Sequence, residues 1–229
     1  MQTLEGQVSE IQLDHHGATG AWIACALRKA PTPGQYLFAW APSDADAPAG
    51  LPLFPVQVSE NGFLAAPPIR PTWTPGTSLN MRGPMGRGFE LPASTRRLAL
   101  AALGDTVARL LPLAALAAQN GCAIALFADG LLPSLPTSYE AYPLSSLPES
   151  LVWADLLALD LPLQHLVDLR KTLGIAAGAL LPCPAQVLIQ AAMPCAGLAE
   201  CGACAVPARR SYKLACKDGP VFDLKHLEW

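Results

Sequence analysis

The chain is poor in charge. Of its 229 residues only 14% are Asp, Glu, Lys or Arg, against about a quarter in an ordinary soluble domain. The 15 Lys and Arg are spread along the chain and the formal net charge is -3, so there is no electrostatic footprint of a nucleic-acid binder or of a protein lying on an acidic membrane. With only four histidines, no Ser-His-Asp or Cys-His arrangement stands out, which argues against hydrolytic chemistry. The opening stretch MQTLEGQVSEIQLDHH carries Glu5, Glu10 and Asp14 and has no apolar run; no secretory signal is expected, and the mature protein is expected to begin at Met1. Unbroken spans for a bilayer are lacking too. Leu110 to Ala128 is interrupted by Gln119, Asn120 and Gly121, and Thr172 to Ala199 carries Pro182, Pro184 and Pro194 with two glutamines, groups that lipid would leave unsatisfied. Seven cysteines, an odd number, without an export signal imply a reducing, cytoplasmic setting, where clustered thiols more often bind metal than pair.

What the chain has in plenty is apolar residues, 52%, and 23 prolines, enough for a sizeable core connected by many turns. Residues 1–92 read as short strands (Gly6 to Leu13, Ala21 to Leu27, Gly34 to Trp40, Pro55 to Ser59, Thr77 to Arg82) separated by turn residues such as Asn61-Gly62 and Gly83-Pro84, which suggests a small antiparallel barrel or sandwich. Residues 93–190 change period. The run 96–103 reads as a buried strand, Asp105 as the N-cap of an apolar helix ending at Asn120-Gly121, and 122–130 as the next strand. Residues 131–150 read as a loop, LVWAD (151–155) as a short strand, 161–174 as an amphipathic helix and AQVLIQ (185–190) as a last strand. Alternation of this kind implies a parallel α/β, Rossmann-like sheet. A third part, 191–229, holds the cysteines.

There the spacing is C-x5-C-x2-C-x11-C, through Cys195, Cys201, Cys204 and Cys216. A plant-type [2Fe-2S] cluster uses C-x4-C-x2-C and a distant fourth thiolate, because a loop of small residues must wrap two irons and turn its amides toward sulfur. Gly197, Ala199, Gly202, Ala203 and Ala205 supply small residues, and the first gap is one residue longer than that pattern. A structural zinc site would accept four thiolates as well, although only Cys201 and Cys204 form a C-x2-C knuckle. Core cysteines without a ligand are the third reading.

MPCAGLAECGAC followed by KLACKDGPVFDLKHL resembles the C-terminal module of the dihydroorotate dehydrogenase electron transfer subunit. PGQYLFAW resembles the family's PGQF strand, and RGPMGRGFEL its Gly-Pro-Leu-Gly-x-Gly-Phe segment. The resemblance implies a ferredoxin reductase-like barrel for FAD over 1–92, a nicotinamide-type domain over 93–190, and a [2Fe-2S] module over 191–229 ligated by the four cysteines. It also implies a partner, a flavin-containing dihydroorotate dehydrogenase-like catalytic subunit, in a hetero-oligomer serving pyrimidine biosynthesis. The flavin and nicotinamide motifs depart from that pattern. The family's Arg-Pro-x-Ser falls at Phe54, Pro55, Val56 and Gln57; APPIRPTWTPG replaces the Gly-x-Gly-Thr loop; and ALGDTVARLLP has one glycine, with Asp105 where a phosphate would sit. A carboxylate there opposes an anion, so NAD is expected not to bind. FAD stays open through Arg70, Arg82 and Arg87, and no catalytic or flavin-binding set is assigned.

Other features have plainer readings. His15 and His16 lie in a polar loop, His165 one helical turn from Asp168, and His226 near the end; all read as solvated side chains. Cys25 and Cys122 read as core, Cys183 as a bystander of the cluster, and Glu200 as exposed. Trp40, Trp73, Tyr36 and Phe222 read mostly as core, whereas Trp229 is expected to dock, for which the α/β domain of this same chain is available. The function expected is one-electron transfer by an accessory subunit. Its rivals are a complete FAD-dependent NADH-oxidising subunit and a structural protein with a four-cysteine zinc site.

Overall fold

The structure, a computed structural model, describes residues 2–13, 19–44, 50–104, 106–129, 132 and 134–229. Seven strands form the first sheet: β1 (Gln2–Leu13), β2 (Thr19–Cys25), β3 (Tyr36–Trp40), β4 (Leu51–Leu53), β5 (Pro55–Ser59), β6 (Gly62–Ala65) and β7 (Ser78–Met85). All pairs are antiparallel, in the order β4-β3-β7-β1-β2-β6-β5. Only Phe54 separates β4 from β5 in sequence, yet they occupy opposite edges of the sheet. One residue spans less than 4 Å, so the sheet must curl until its edges meet. The curled sheet closes over Val8, Ile23, Leu37, Phe63, Trp73, Leu79 and Met81. The strands β4 and β6 escape a reading by punctuation because they are three and four residues long and no turn doublet sets β4 apart from β5.

The second sheet contains β8 (Arg97–Ala102), β9 (Ala123–Phe127), β10 (Tyr139–Tyr142), β11 (Leu156–Pro162), β12 (Ala185–Gln190) and β15 (Val221–Asp223), ordered β10-β9-β8-β11-β12-β15. The first five pair in parallel. Strand β15 closes the edge antiparallel to β12, so residues beyond 191 complete the sheet. Helices α1 (Leu111–Gln119), α2 (Leu147–Ser150) and α3 (Leu169–Thr172) lie in the connections, and a hairpin, β13 (Ala205–Ala208) with β14 (Ser211–Leu214), leads into the single turn α4 (Ala215–Asp218).

Four elements differ from their sequence expectation. The helix expected from residue 105 begins at Leu111, after a 3-10 turn over Ala108–Leu110, which places Pro112 in its first turn; proline lacks the N–H that an interior position would need. Asp105, expected as its N-cap and as the occupant of the phosphate position, lies outside the described residues, as do His15 and His16. The helix stops as expected at Asn120, with Gly121 at φ 73°. The segment 131–150 is not only loop, since it holds β10 and α2. LVWAD forms a turn, and the strand is the LLALDLP that follows, buried from Leu156 to Leu161. The expected helix 161–174 is a 3-10 turn over Leu163–Asp168 running into α3. Leu163, Leu166 and Leu169 recur every third residue, the period of a 3-10 helix. Among the described residues no helix is long and apolar enough to cross a membrane.

Candidate metal centre

Strand β12 runs out of the sheet into the cysteine loop, whose backbone is wound left-handed at Ala196 (φ 55°), Gly197 (φ 74°), Ala199 (φ 64°) and Gly202 (φ 71°). Such residues alternate the direction of successive amides and build concave N–H nests for anions. Here the nest faces Cys195: the amides of Cys201, Glu200 and Leu198 point at its sulfur and hold its thiol down at about 6. A sulfur that attracts three N–H groups is prepared to carry negative charge, the state a metal ligand needs.

Cys204 closes the loop just before β13, and Cys216 lies in α4 just after β14. The hairpin folds them together with Sγ atoms 3.4 Å apart, and the Ala215 N–H donates to the Cys204 carbonyl at 3.0 Å. Both are buried, and burial together with the neighbouring Cys204 thiol pushes Cys216 up to about 12. Cys195 is half-buried and hydrogen-bonded by the Cys201 thiol, while Cys201 is exposed. The four thiols therefore stand as two pairs, 195 with 201 and 204 with 216. Among the described residues no group of three or more His, Cys, Asp or Glu side chains is gathered as if for one metal ion. The remaining cysteines lie elsewhere. Cys183 is buried in the bend before β12, near Asp155 and Leu157, Cys25 is raised by burial to about 11, and the Cys122 thiol donates to the Thr95 carbonyl at 3.2 Å.

The curled sheet presses on this loop from β3 and β7. The Tyr36 hydroxyl donates to the Cys216 carbonyl at 3.5 Å, and Arg82 donates to the Ala196 carbonyl. A Cβ on Gly197 would stand 2.8 Å from the tip of the Met85 side chain, at a φ of 74° that L side chains rarely adopt, so a side chain there strains the backbone and displaces Met85. Tyr36 and Met85 carry no sequence signal of this role, because their partners are far along the chain. Each of the three arginines kept open for a flavin is engaged by a group of the protein. Arg82 serves the cysteine loop, Arg70 lies 3.8 Å from Asp44 and over the Trp73 ring, and Arg87 pairs with Glu90.

Between the two sheets, the groups present do not fit the FAD that the resemblance implies for the barrel. Phe54, at the position of the family's arginine, is buried with its ring centroid 5.6 Å from that of Tyr36. Arg109, from the turn before α1, donates through Nε to Asp160 Oδ2 at 2.8 Å and through an Nη to the Pro67 carbonyl at 2.7 Å. Gln190 donates to the other Asp160 oxygen at 2.7 Å. Arg109 and Asp160 are buried, and burial raises the Asp160 carboxyl while the Arg109 charge pulls it down. The cleft left beside Phe54, Pro67, Arg109, Gln190 and Met193 measures about 100 Å³. Drug-sized ligands occupy roughly 300–1,000 Å³, and a dinucleotide is larger than most.

Glu200 is exposed and Tyr36, Trp73 and Phe222 are core, as the sequence implies. Trp229 docks on the α/β part of the chain. The Arg170 guanidinium lies 4.2 Å from its ring centroid and donates to its carbonyl, and the indole N–H donates to Leu224. His165 does not pair with Asp168 in the structure; its ring nitrogen meets the Leu103 carbonyl at 3.1 Å. His226 is exposed.

Residues 191–228 match the family described as the iron-sulfur cluster binding domain of dihydroorotate dehydrogenase B. The resemblance read from the cysteines is thus shown, and an iron-sulfur cluster is the metal group it supports. No curated protein matches the chain. Among solved structures the chain is similar to the NADH-dependent reduced ferredoxin-NADP oxidoreductase described for flavin-based electron bifurcation, with TM-score 0.75, 19% identity, and 98% of this chain and 90% of that one covered. The ferredoxin reductase of carbazole 1,9a-dioxygenase follows at TM-score 0.59 and 14% identity, covering 77% of this chain and 65% of that one. The Amycolatopsis cytochrome P450 reductase gives TM-score 0.57 and 14% identity, covering 76% and 66%. The chain thus spans somewhat under two thirds of these two reductases. At such identities the likeness shows the fold, a ferredoxin reductase-type pair of sheets.

Proposed function

We propose that the chain is a one-electron carrier, an accessory subunit whose Cys195, Cys201, Cys204 and Cys216 hold a [2Fe-2S] cluster. The observation that carries this is the pairing of the thiols. Two thiolates on one tetrahedral metal at about 2.3 Å stand about 3.8 Å apart, so the 3.4 Å between Cys204 and Cys216 need open by only a few tenths of an ångström. Two pairs suit two irons, whereas one zinc would draw four sulfurs to a single point. When bound, the cluster supplies reversible storage of one electron.

The protein supplies the surroundings. Amides of Leu198, Glu200 and Cys201 stabilise negative charge on the Cys195 sulfur, and such hydrogen bonds raise a cluster's potential. Burial of Cys204 and Cys216 keeps water from one end, and exposed Cys201 leaves the other within reach of a partner. Because Arg109, Asp160, Phe54 and Pro67 occupy the space between the sheets, we infer that neither FAD nor NAD binds. The electron then comes from or goes to a flavin on another subunit, for which a dihydroorotate dehydrogenase-like catalytic subunit of pyrimidine biosynthesis in the cytoplasm is the candidate. In these terms 1–92 act as a scaffold, 93–190 as the base of the module, and 191–229 as the redox unit.

The test is cofactor content after anaerobic purification. Two irons and two acid-labile sulfides per chain, without released flavin, are expected. One zinc without sulfide would replace the carrier by a structural role, and stoichiometric FAD with rapid reduction by NADH would restore the complete reductase.

A further inference from the structure

Of the 15 Lys and Arg that look dispersed in sequence, five gather in space. A groove of about 730 Å³ runs between the β13–β14 hairpin and the β12–β15 edge, and Arg87, Arg209, Arg210, Lys213 and Lys217 line it. Against these five cations stand Glu90, Asp218 and Asp223, in a chain whose net charge is -3. The carboxylates are already engaged. Glu90 pairs with Arg87, Asp223 with Lys225, and Asp218 accepts the Leu214 N–H. Arg209, Arg210, Lys213 and Lys217 are exposed and make no ion pair among the described residues.

Their placement ties them to the thiols. The hairpin is the segment that joins Cys204 to Cys216; Arg209 and Arg210 form its turn, Lys213 sits on β14, and Lys217 directly follows Cys216. Four unpaired cations in a protein of opposite net charge repel one another to no structural benefit. Their exposure rules out the dry, enclosed cradle that holds a small anion by buried donors. A surface of this kind accelerates and orients the approach of an oppositely charged protein.

We propose that this groove docks an acidic face of the redox partner, so that the partner approaches the cysteine module from the hairpin side. The proposal rests on the carrier reading above for the partner's role, while the docking itself requires no cluster. The probe is a plant-type ferredoxin, a strongly acidic one-electron protein, titrated onto the intact chain by calorimetry, with basic cytochrome c as the opposite-sign control. Binding to ferredoxin and not to cytochrome c is expected, weakening about tenfold or more between 50 and 300 mM salt as screening shortens to a few ångströms. The variant R209E/R210E/K213E, checked for an unchanged circular dichroism spectrum, is expected to lose about tenfold or more in affinity at low salt. Absence of ferredoxin binding, equal affinity of the variant, or preference for cytochrome c overturns the docking proposal. Saturation by inorganic pyrophosphate at micromolar concentration overturns it in favour of a small-anion site. Cofactor analysis of the same sample decides the carrier reading separately.

Discussion

Arg109 Nε lies 2.8 Å from Asp160 Oδ2, and the same guanidinium holds the Pro67 carbonyl, so a single side chain fastens the curled sheet to the α/β sheet through a buried ion pair. Removing one partner of such a pair leaves a stranded charge, which costs about 3–5 kcal/mol. The variant Arg109→Met is expected to lose that much stability in urea unfolding. Adding Asp160→Leu is expected to recover most of the loss, because two apolar groups leave no charge unpaired.

A bulky, β-branched residue at Gly197 should disturb the cysteine loop and leave the sheets intact. It has φ 74°, and a Cβ there would stand 2.8 Å from Met85 Cε; the left-handed backbone alone costs a β-branched residue about 1–2 kcal/mol. Gly197→Val is expected to purify folded by circular dichroism but with iron and sulfide content well below the unaltered protein.

The thiols should differ in reactivity once metal is stripped. Cys195 ionises near 6 because three amides face its sulfur, whereas Cys216 is pushed up to about 12 by burial and by Cys204. Alkylation of the apo-protein at Cys195 is expected to rise about tenfold per pH unit up to 6 and then level off. Cys216 should stay unmodified at neutral pH until the chain is unfolded, and peptide mapping by mass spectrometry separates the two.

Acid stability should trace to Asp155. Its carboxylate accepts from the Arg97 side chain at 2.7 Å and from the Arg96 and Arg97 amides, which lowers it to about 2. An unfolded Asp titrates near 3.9. The stabilisation is therefore complete above about pH 4 and is lost as pH falls toward 2. Asp155→Asn is expected to be less stable than the unaltered protein at neutral pH and to converge with it near pH 2, as measured by thermal unfolding across that range.

Much of the candidate metal centre was legible in the sequence because cysteine spacing is a local property. Cys195, Cys201, Cys204 and Cys216 declare themselves by interval, and AQVLIQ declares the strand that feeds them. The groups that support the loop do not, since Tyr36 and Cys216 are 180 residues apart and nothing in PGQYLFAW says which backbone the phenol will meet. Arg109 was hidden for a different reason, as the lone charge in an apolar run that reads as helix, with its partner 51 residues on. The gathering of Arg209, Arg210, Lys213 and Lys217 with Arg87 was invisible because composition counts charges without placing them. The short strands β4 and β6 are recruited by neighbours rather than by their own pattern, which is how tertiary pairing overrides local preference.

Strand β15 begins four residues after Lys217 and pairs with β12, so the cysteine hairpin is stitched at both ends into the same sheet. Anchored in this way, the hairpin cannot swing on a tether as a mobile arm would. On the proposed carrier reading, turnover is then governed by collision and departure of whole proteins at its surface, and its speed by how often, and in what orientation, visitors arrive.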